Sequence, residues 1–224
     1  MHTSKLSVYV TIPLNPKDPE IHCDVVQTSW RILFDKRFEV TINTPKEMPL
    51  ENNLHGICKH ILKNNFDFWL SIDSDNPPFC NPLDLCFLDL DVVGFPTPIY
   101  KWKPALAGNR PIIWNAFDYI EEKDAYVEHK NKCGLQLVDA IGGGCMLVAR
   151  RVLEHSVMQY QPFARKSDLD GLYNRGNDIA FCERAKDAGF NIWSHFSYQC
   201  DHFRKLSLAG IHNGYCAAFN ARNN

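Results

Sequence analysis

Hydrophobic and polar positions recur in two rhythms along the first hundred residues. Leu6 to Leu14 is an apolar, β-branched run that reads as a first strand. From Pro19 to Phe34, the residues Ile21, Val25, Ile32 and Leu33 recur at roughly helical spacing, and Asp18 stands where an N-cap belongs. Phe38 to Ile42 is a short strand pattern that stops at Asn43-Thr44-Pro45. Leu54, Ile57, Cys58, Ile61 and Leu62 then follow i, i+3, i+4, i+7, i+8, which is one apolar stripe of a helix ending at Asn64-Asn65. Phe66 to Ile72 is almost continuously apolar, as in an interior strand of a sheet covered on both faces. It ends abruptly at Asp73-Ser74-Asp75-Asn76-Pro77-Pro78.

The second half is less regular. Pro82 to Leu88 reads as a short helix, Val92 to Phe95 as a strand, and a Pro-broken stretch runs on to Pro111. Ile112 to Tyr119 and Leu135 to Ile141 read as strands, Gly142-Gly143-Gly144 as a flexible turn, and Cys145 to Ala149 as a strand leading into a short helix from Arg150. A polar loop from Tyr160 to Gly176 precedes a helix over Asp178 to Ala188 closed by Gly189, and Phe190 to Phe196 is the last strand. Strands and helices in alternation predict an α/β layered domain, in which ligands sit outside the carboxyl ends of the strands. The tail beyond Arg204 reads as loosely ordered.

Composition narrows the picture. At 224 residues and 45% hydrophobic content the chain fits one globular domain with its own core. A net charge of −2 supplies no overall positive field for nucleic acid, and no apolar run approaches the ~20 residues of a membrane span. The nine Cys are odd in number, scattered and free of any C-x-x-C pair, so neither a disulfide framework nor a zinc ribbon is indicated. Reduced thiols and a cytoplasmic setting are expected.

Four places carry residues fit for chemistry. Asp-x-Asp occurs three times, and Asp89-Leu90-Asp91 and Asp168-Leu169-Asp170 read as solvated carboxylates. Asp73-Ser74-Asp75 differs because it follows directly on the most apolar strand, which fixes two carboxylates at the mouth of the sheet. Such a pair is stabilised by a shared proton or a divalent cation, although Asp73 and Asn76 also suit a capped turn before Pro77-Pro78. Gly142-Gly143-Gly144 matches neither nucleotide-binding glycine pattern, and it suits either close approach of backbone to a ligand or a tight β-turn. Asp178 falls in the first turn of the last helix, where a carboxylate is favoured by the helix dipole, and capping by Asn177 or Asp178 accounts for it equally. His202, just after the final strand, is one of nine histidines, and its position would let it share a divalent ion with the strand-end carboxylates.

Taken in order, these segments resemble the glycosyltransferases of the GT-A fold, in particular small family-2-like and viral or phage-type members. Phe66 through Asp75 looks like the strand and metal-binding Asp-x-Asp of that family, and Asp91 to Phe95 like the strand after it. Ala140 to Arg151 resembles the glycine segment lining the donor sugar, Asn177 through Phe190 the Glu-Asp helix start with its Ala-Gly-Phe turn, and His202 the late metal-ligating His. The likeness runs from about Val8 to His202, with one departure, Asn177 where the family usually carries Glu.

The resemblance implies a Rossmann-like single domain with a mainly parallel central sheet flanked by helices. Its nucleotide-binding half would be about residues 1–100 and its acceptor half about 101–204, with a tail over 205–224. It implies transfer of a sugar from a nucleotide-diphosphate donor, a UDP-sugar by preference, to a carbohydrate or glycoconjugate hydroxyl with inversion. Asp75 and His202 would ligate Mn2+ or Mg2+, with Asp73 as a ribose or water-mediated metal contact. Thr11, Ile12 and Pro13 would meet base and ribose, Gly142, Gly143 and Gly144 the donor sugar, and Asp178 would be the base. Arg204 and Lys205 suit the diphosphate or a basic tail. A catalytically silent sugar-binding protein and a haloacid-dehalogenase-like phosphatase are the competing readings. Against the phosphatase stand Asn76 after the motif and the roughly 70 residues ahead of it.

Overall fold

The computed structural model describes residues 5–17, 19–46, 48–100, 112–167 and 173–203. The first half alternates as the pattern predicts: β1 (Leu6–Thr11), α1 (Cys23–Leu33), β2 (Phe38–Asn43), α2 (Leu50–Asn64) and β3 (Phe68–Ile72). After a 3-10 turn over Pro82–Leu88 come β4 (Val92–Gly94), β5 (Pro98–Tyr100), β6 (Ile112–Trp114), β7 (Ala116–Ile120), β8 (Ala125–Glu128), β9 (Leu135–Val138), β10 (Ala140–Ile141) and β11 (Cys145–Ala149). The chain continues through α3 (Arg150–Glu154), the short β12 (Lys166–Ser167) and β13 (Tyr173–Arg175), α4 (Asn177–Asp187) and β14 (Ile192–His195). Among the described residues no helix is long and apolar enough to cross a membrane.

Seven strands form the main sheet in the order β2-β1-β3-β11-β4-β14-β9. The sheet is mixed: β2, β1, β3, β4 and β14 share one direction, whereas β11 and β9 oppose their neighbours. The expectation of a mainly parallel sheet therefore holds for five strands, and the antiparallel β11 lies at its centre. A second sheet, β10-β7-β8, is antiparallel throughout.

Side-chain alternation builds a core on each face. Phe68, Leu70 and Ile72 of β3 join Val8 and Val10 of β1 and Val25 and Ile32 of α1. Trp69 turns the other way, to Tyr9, the α2 stripe of Leu54, Ile57, Cys58 and Ile61, and Phe181 of α4. Burial on both faces is why β3 reads as unbroken apolar sequence.

Several boundaries differ from the pattern. α1 begins at Cys23, because the His22 ring nitrogen Nδ1 accepts the Asp24 N–H and caps the helix, and Asp18 lies outside the described residues. The strand expected over Leu135 to Ile141 divides at Asp139, whose N–H donates to the Phe117 carbonyl (2.8 Å) and whose carboxylate accepts the Tyr119 N–H (2.7 Å). β9 thereby stays in the main sheet while β10 crosses into the second one. Ile112 to Tyr119 divides at Asn115 in the same manner. The stretch from Lys101 to Pro111, Asp168 and Asp170, and the tail from Arg204 lie outside the described residues.

Candidate functional site

Asp73 follows β3 at the carboxyl edge of the sheet, and its N–H donates to the Gly144 carbonyl (2.8 Å), so the two motifs meet through backbone. The turn closes where the Asn76 N–H reaches the Asp73 carbonyl (3.1 Å). Asn76 is 2% exposed, and its Nδ2 donates to the Asp201 carbonyl (3.0 Å). The chain after β14 thus returns along this turn: the Phe203 N–H bonds the Asp75 carbonyl (2.9 Å) and the Asp201 N–H the Pro77 carbonyl (3.0 Å).

That return path delivers His202 to Asp75. His202 Nδ1 lies 2.7 Å from the Pro98 carbonyl, which can only accept, so Nδ1 carries the proton. Nε2 faces Asp75, 3.6 Å from its Oδ2. The distance exceeds a hydrogen bond and suits two groups facing one cation, with the Pro98 carbonyl in the orienting role that backbone acceptors take behind metal-ligating histidines. Asp73 lines the adjoining cavity without joining a three-ligand cluster. Among the described residues, three ligand atoms come within 4.8 Å of one another at His22, Cys23 and Asp24, where His22 Nδ1 is occupied as the α1 cap.

The three glycines are not equivalent. The Gly142 N–H donates to the Asn115 carbonyl (2.8 Å), and a Cβ there would stand 2.3 Å from Asn115 Nδ2. At Gly144 a Cβ would meet Thr97 Oγ1 at 2.9 Å and Asn76 Cγ at 3.2 Å. Gly143 is open, with Asp178 Cβ its nearest neighbour at 3.9 Å, and its N–H points at Asp178 Oδ2 (3.3 Å). Behind the turn, Asn115 Oδ1 accepts the Thr97 N–H (2.8 Å), and the Asn115 N–H returns to the Thr97 carbonyl (3.0 Å). Thr97 and Asn115 are buried polar residues that sequence reasoning passes over, and Asn76, expected as part of a capped turn, is buried with them. Asn115 had a signal, since it interrupts an apolar run, but its partners are distant in sequence.

Asp178 sits in the first turn of α4, after Gly176, which offers no side-chain cap. Its Oδ1 accepts the Ile179 N–H (2.9 Å). Burial pushes the carboxyl above the usual carboxylate range, against the opposing pull of the N–H groups of Ile179 and Gly143.

Two cavities meet at this residue. One of about 290 Å³ is lined by Asp73, Thr97, Asn115, the three glycines, Asp178 and His202. The other, about 110 Å³, is lined by Pro13, Leu50, Leu54, Trp69, Asp73, Asn177 and Asp178 among others. Of the first-strand candidates, Pro13 reaches this cleft. Thr11 is fully buried with Oγ1 accepting Trp69 Nε1–H (2.8 Å), and Ile12 is buried in the core. Asp73, Gly142, Gly143, Gly144, Asp178 and His202 therefore share one cleft, Asp75 pairs with His202 at its rim, and Arg204 and Lys205 lie outside the described residues.

Neither a protein-family model nor a curated protein matches the chain by sequence. Among solved structures the fold is similar to that of A197 from STIV, with a TM-score of 0.54 and 13% identity over 89% of this chain and 86% of that one. It is also similar to GalNAc-T7 solved with UDP, GalNAc and Mn2+, with a TM-score of 0.51 and 11% identity over 92% of this chain and 45% of that one. At these identities the likeness is one of fold.

Proposed function

We propose that the chain is a divalent-metal-dependent glycosyltransferase of the GT-A type, moving a sugar from a nucleotide-diphosphate donor, preferably UDP-linked, to a carbohydrate or glycoconjugate hydroxyl. The observation that carries this reading is the pairing of Asp75 Oδ2 with His202 Nε2 at 3.6 Å, at the rim of a cleft that also holds the Asp178 carboxylate. The donor set fits Mn2+ or Mg2+: one carboxylate and one imidazole whose other nitrogen is fixed by the Pro98 carbonyl. A bound ion supplies positive charge to the diphosphate leaving group. The shared fold with a protein solved with UDP, GalNAc and Mn2+ supports the same donor class.

The chain's own residues do the rest. Gly142 to Gly144 present backbone without side chains, so the donor sugar packs against them while Asp73 meets the ribose or a metal-bound water. Pro13, with Thr11 and Ile12 behind it, borders the nucleoside. Asp178 takes the proton of the acceptor hydroxyl as its oxygen bonds the anomeric carbon and the nucleotide diphosphate departs with the bonding pair. A carboxyl raised by burial is a stronger base than a solvated one, and displacement from the face opposite the leaving group inverts the anomeric centre. This reading places the chain in a reducing, cytoplasmic compartment, on the odd number and scatter of its nine cysteines.

Thermal shift with a nucleotide-sugar panel tests the reading. At a hundredfold excess over Kd a donor adds about 2.7 kcal/mol, a rise of roughly 5–10 °C for a chain of this length. The shift should require Mn2+, vanish with EDTA and be absent in Asp75→Ala and His202→Ala. No shift with any donor would reject the proposal, and binding without transfer would assign a silent sugar-binding role.

A further inference from the structure

The cleft that holds Asp178 has a side that none of the roles above uses. Thr97 and Ile99 lie two residues apart on β5 and its approach, and Asn115 and Phe117 two apart at the junction of β6 and β7. All four line the cavity of about 290 Å³. Side chains two apart on extended backbone project to one face, so the pairs form one wall with a polar row, Thr97 and Asn115, and an apolar row, Ile99 and Phe117. The same segment anchors His202, whose Nδ1 meets the Pro98 carbonyl (2.7 Å).

Asn115 carries one polar atom on this wall that the fold does not use. The residue is 6% exposed, its N–H donates to the Thr97 carbonyl (3.0 Å), and its carbonyl and Oδ1 accept the N–H groups of Gly142 and Thr97 (2.8 Å each). The Thr97 N–H can bond only an acceptor, which holds the carboxamide one way round and leaves Nδ2 as its other end. Nδ2 makes no hydrogen bond among the described residues, yet it is not sealed as the orphan atoms His55 Nδ1 and Ser194 Oγ are, and the surface it keeps is cavity wall.

The glycine turn brings this donor beside the proposed base. Gly142 makes room for Nδ2, since a Cβ there would stand 2.3 Å from it, and the next residue, Gly143, points its N–H at Asp178 Oδ2 (3.3 Å). Consecutive residues of one turn therefore meet an unused amide donor and the Asp178 carboxylate, both in one cavity. Such a wall fits an uncharged pyranose, whose edge oxygens accept from an amide and whose C–H face rests on hydrocarbon. A sugar bearing a carboxylate would instead add its charge to those of Asp73 and Asp178 in the same cavity.

We propose that this wall reads the transferred sugar: Asn115 Nδ2 donates to a hydroxyl or acetamido oxygen of an uncharged donor sugar, whose C–H face packs on Ile99 and Phe117. The inference rests on the glycosyltransferase reading and adds to it the donor-sugar class and the residue that discriminates within it.

The test is calorimetric titration of the full chain with Mn2+ and UDP, UDP-glucose, UDP-galactose, UDP-GlcNAc, UDP-GalNAc or UDP-glucuronate, on wild type, Asn115→Asp and Ile99→Ser. Asn115→Asp keeps the size of the side chain and the oxygen that accepts the Thr97 N–H, and replaces only the donor with an acceptor. Ile99 is half-buried, so Ile99→Ser leaves the buried bonds in place and decides the matter alone if the aspartate variant does not fold. The expected result is that affinity for the best-bound sugar nucleotide falls roughly tenfold in Asn115→Asp and about fivefold in Ile99→Ser, with UDP affinity unchanged in both. In transfer assays the donor KM should rise while the acceptor KM stays. A loss confined to the acetamido donors assigns the acetamido carbonyl as the partner of Nδ2, and a loss shared by the hexoses assigns a hydroxyl. Equal loss of UDP and sugar-nucleotide binding, a wild-type ratio of the two in either folded variant, or preference for UDP-glucuronate would overturn the proposal. Sugar-nucleotide binding by wild type in such a case leaves the glycosyltransferase reading standing; its absence for every compound removes both.

Discussion

Alanine placed at each of the three glycines should separate stability from binding within one turn. At Gly142 the new methyl falls 2.3 Å from Asn115 Nδ2 and 2.9 Å from its Cγ, a distance that real side chains do not tolerate. Asn115 cannot give way, because its N–H, carbonyl and Oδ1 are bonded to Thr97 and to Gly142 itself. Overpacking of a site so held costs about 2–3 kcal/mol, which for a chain of this length lowers Tm by roughly 4–12 °C. At Gly144 the contacts are 2.9 Å to a hydroxyl and 3.2 Å to a carboxamide, and the expected cost is about 1 kcal/mol. At Gly143 the nearest atom is 3.9 Å away and φ is not left-handed, so the loss of freedom in the unfolded chain leaves Tm unchanged or slightly raised. That methyl stands against Asp178 inside the cleft, so Gly143→Ala should lose donor-induced stabilisation while keeping its own. Circular-dichroism melts of the three variants, with and without donor, provide the readout. Equal melting of Gly142→Ala and Gly143→Ala would show that the turn is not packed as described.

Asp178→Asn should keep the donor thermal shift and lower transfer by roughly 10²–10⁴-fold, the range of a general base. Its stability relative to wild type should also rise with pH. A carboxyl raised on folding carries no penalty below its unfolded pKa of about 3.9, and the cost appears as pH climbs through the raised value. A Tm difference identical at pH 4 and pH 7 would contradict this. At the far end of α1, the Arg37 guanidinium holds the Asp35 carboxyl down at about 2, a contribution present above pH 4 and lost between pH 4 and 2. Arg37→Leu should therefore melt roughly 2–4 °C lower at neutral pH, and the gap should close by pH 2 in acid titrations followed by circular dichroism.

What could be read from the chain depended on whether the deciding contacts were local. The α2 stripe and the unbroken run into β3 are written in adjacent residues, and both elements appear where their periodicity places them. The abrupt stop at Asp73 likewise marks a sheet edge without any tertiary knowledge. The direction of β11 was not legible, because Cys145 to Ala149 is equally apolar for a strand running either way. Asn115 and Asp139 divide two expected strands through bonds to Thr97, Phe117 and Tyr119, partners that only the fold brings near. The glycine turn and Asp178 were each visible as separate features, but the Gly143 N–H that joins them, and the Pro98 carbonyl that orients His202, were not.

The reversed direction of β11 has a mechanical meaning. Its first residue adjoins the glycine turn, and just past its last, Arg151 is bound to Asp89 and Asp91 on the opposite edge of the sheet. Ladders on both sides, Cys145 against Ile72 and Met146 against Gly94, permit the strand only discrete positions. A slip of one residue would turn Met146 and Val148 out of the core they share with α2, and a slip of two would carry Gly144 roughly 7 Å from Asp73. The span of the cleft is therefore set by a notch and not by a spring, and it is held in full or lost together with the sheet.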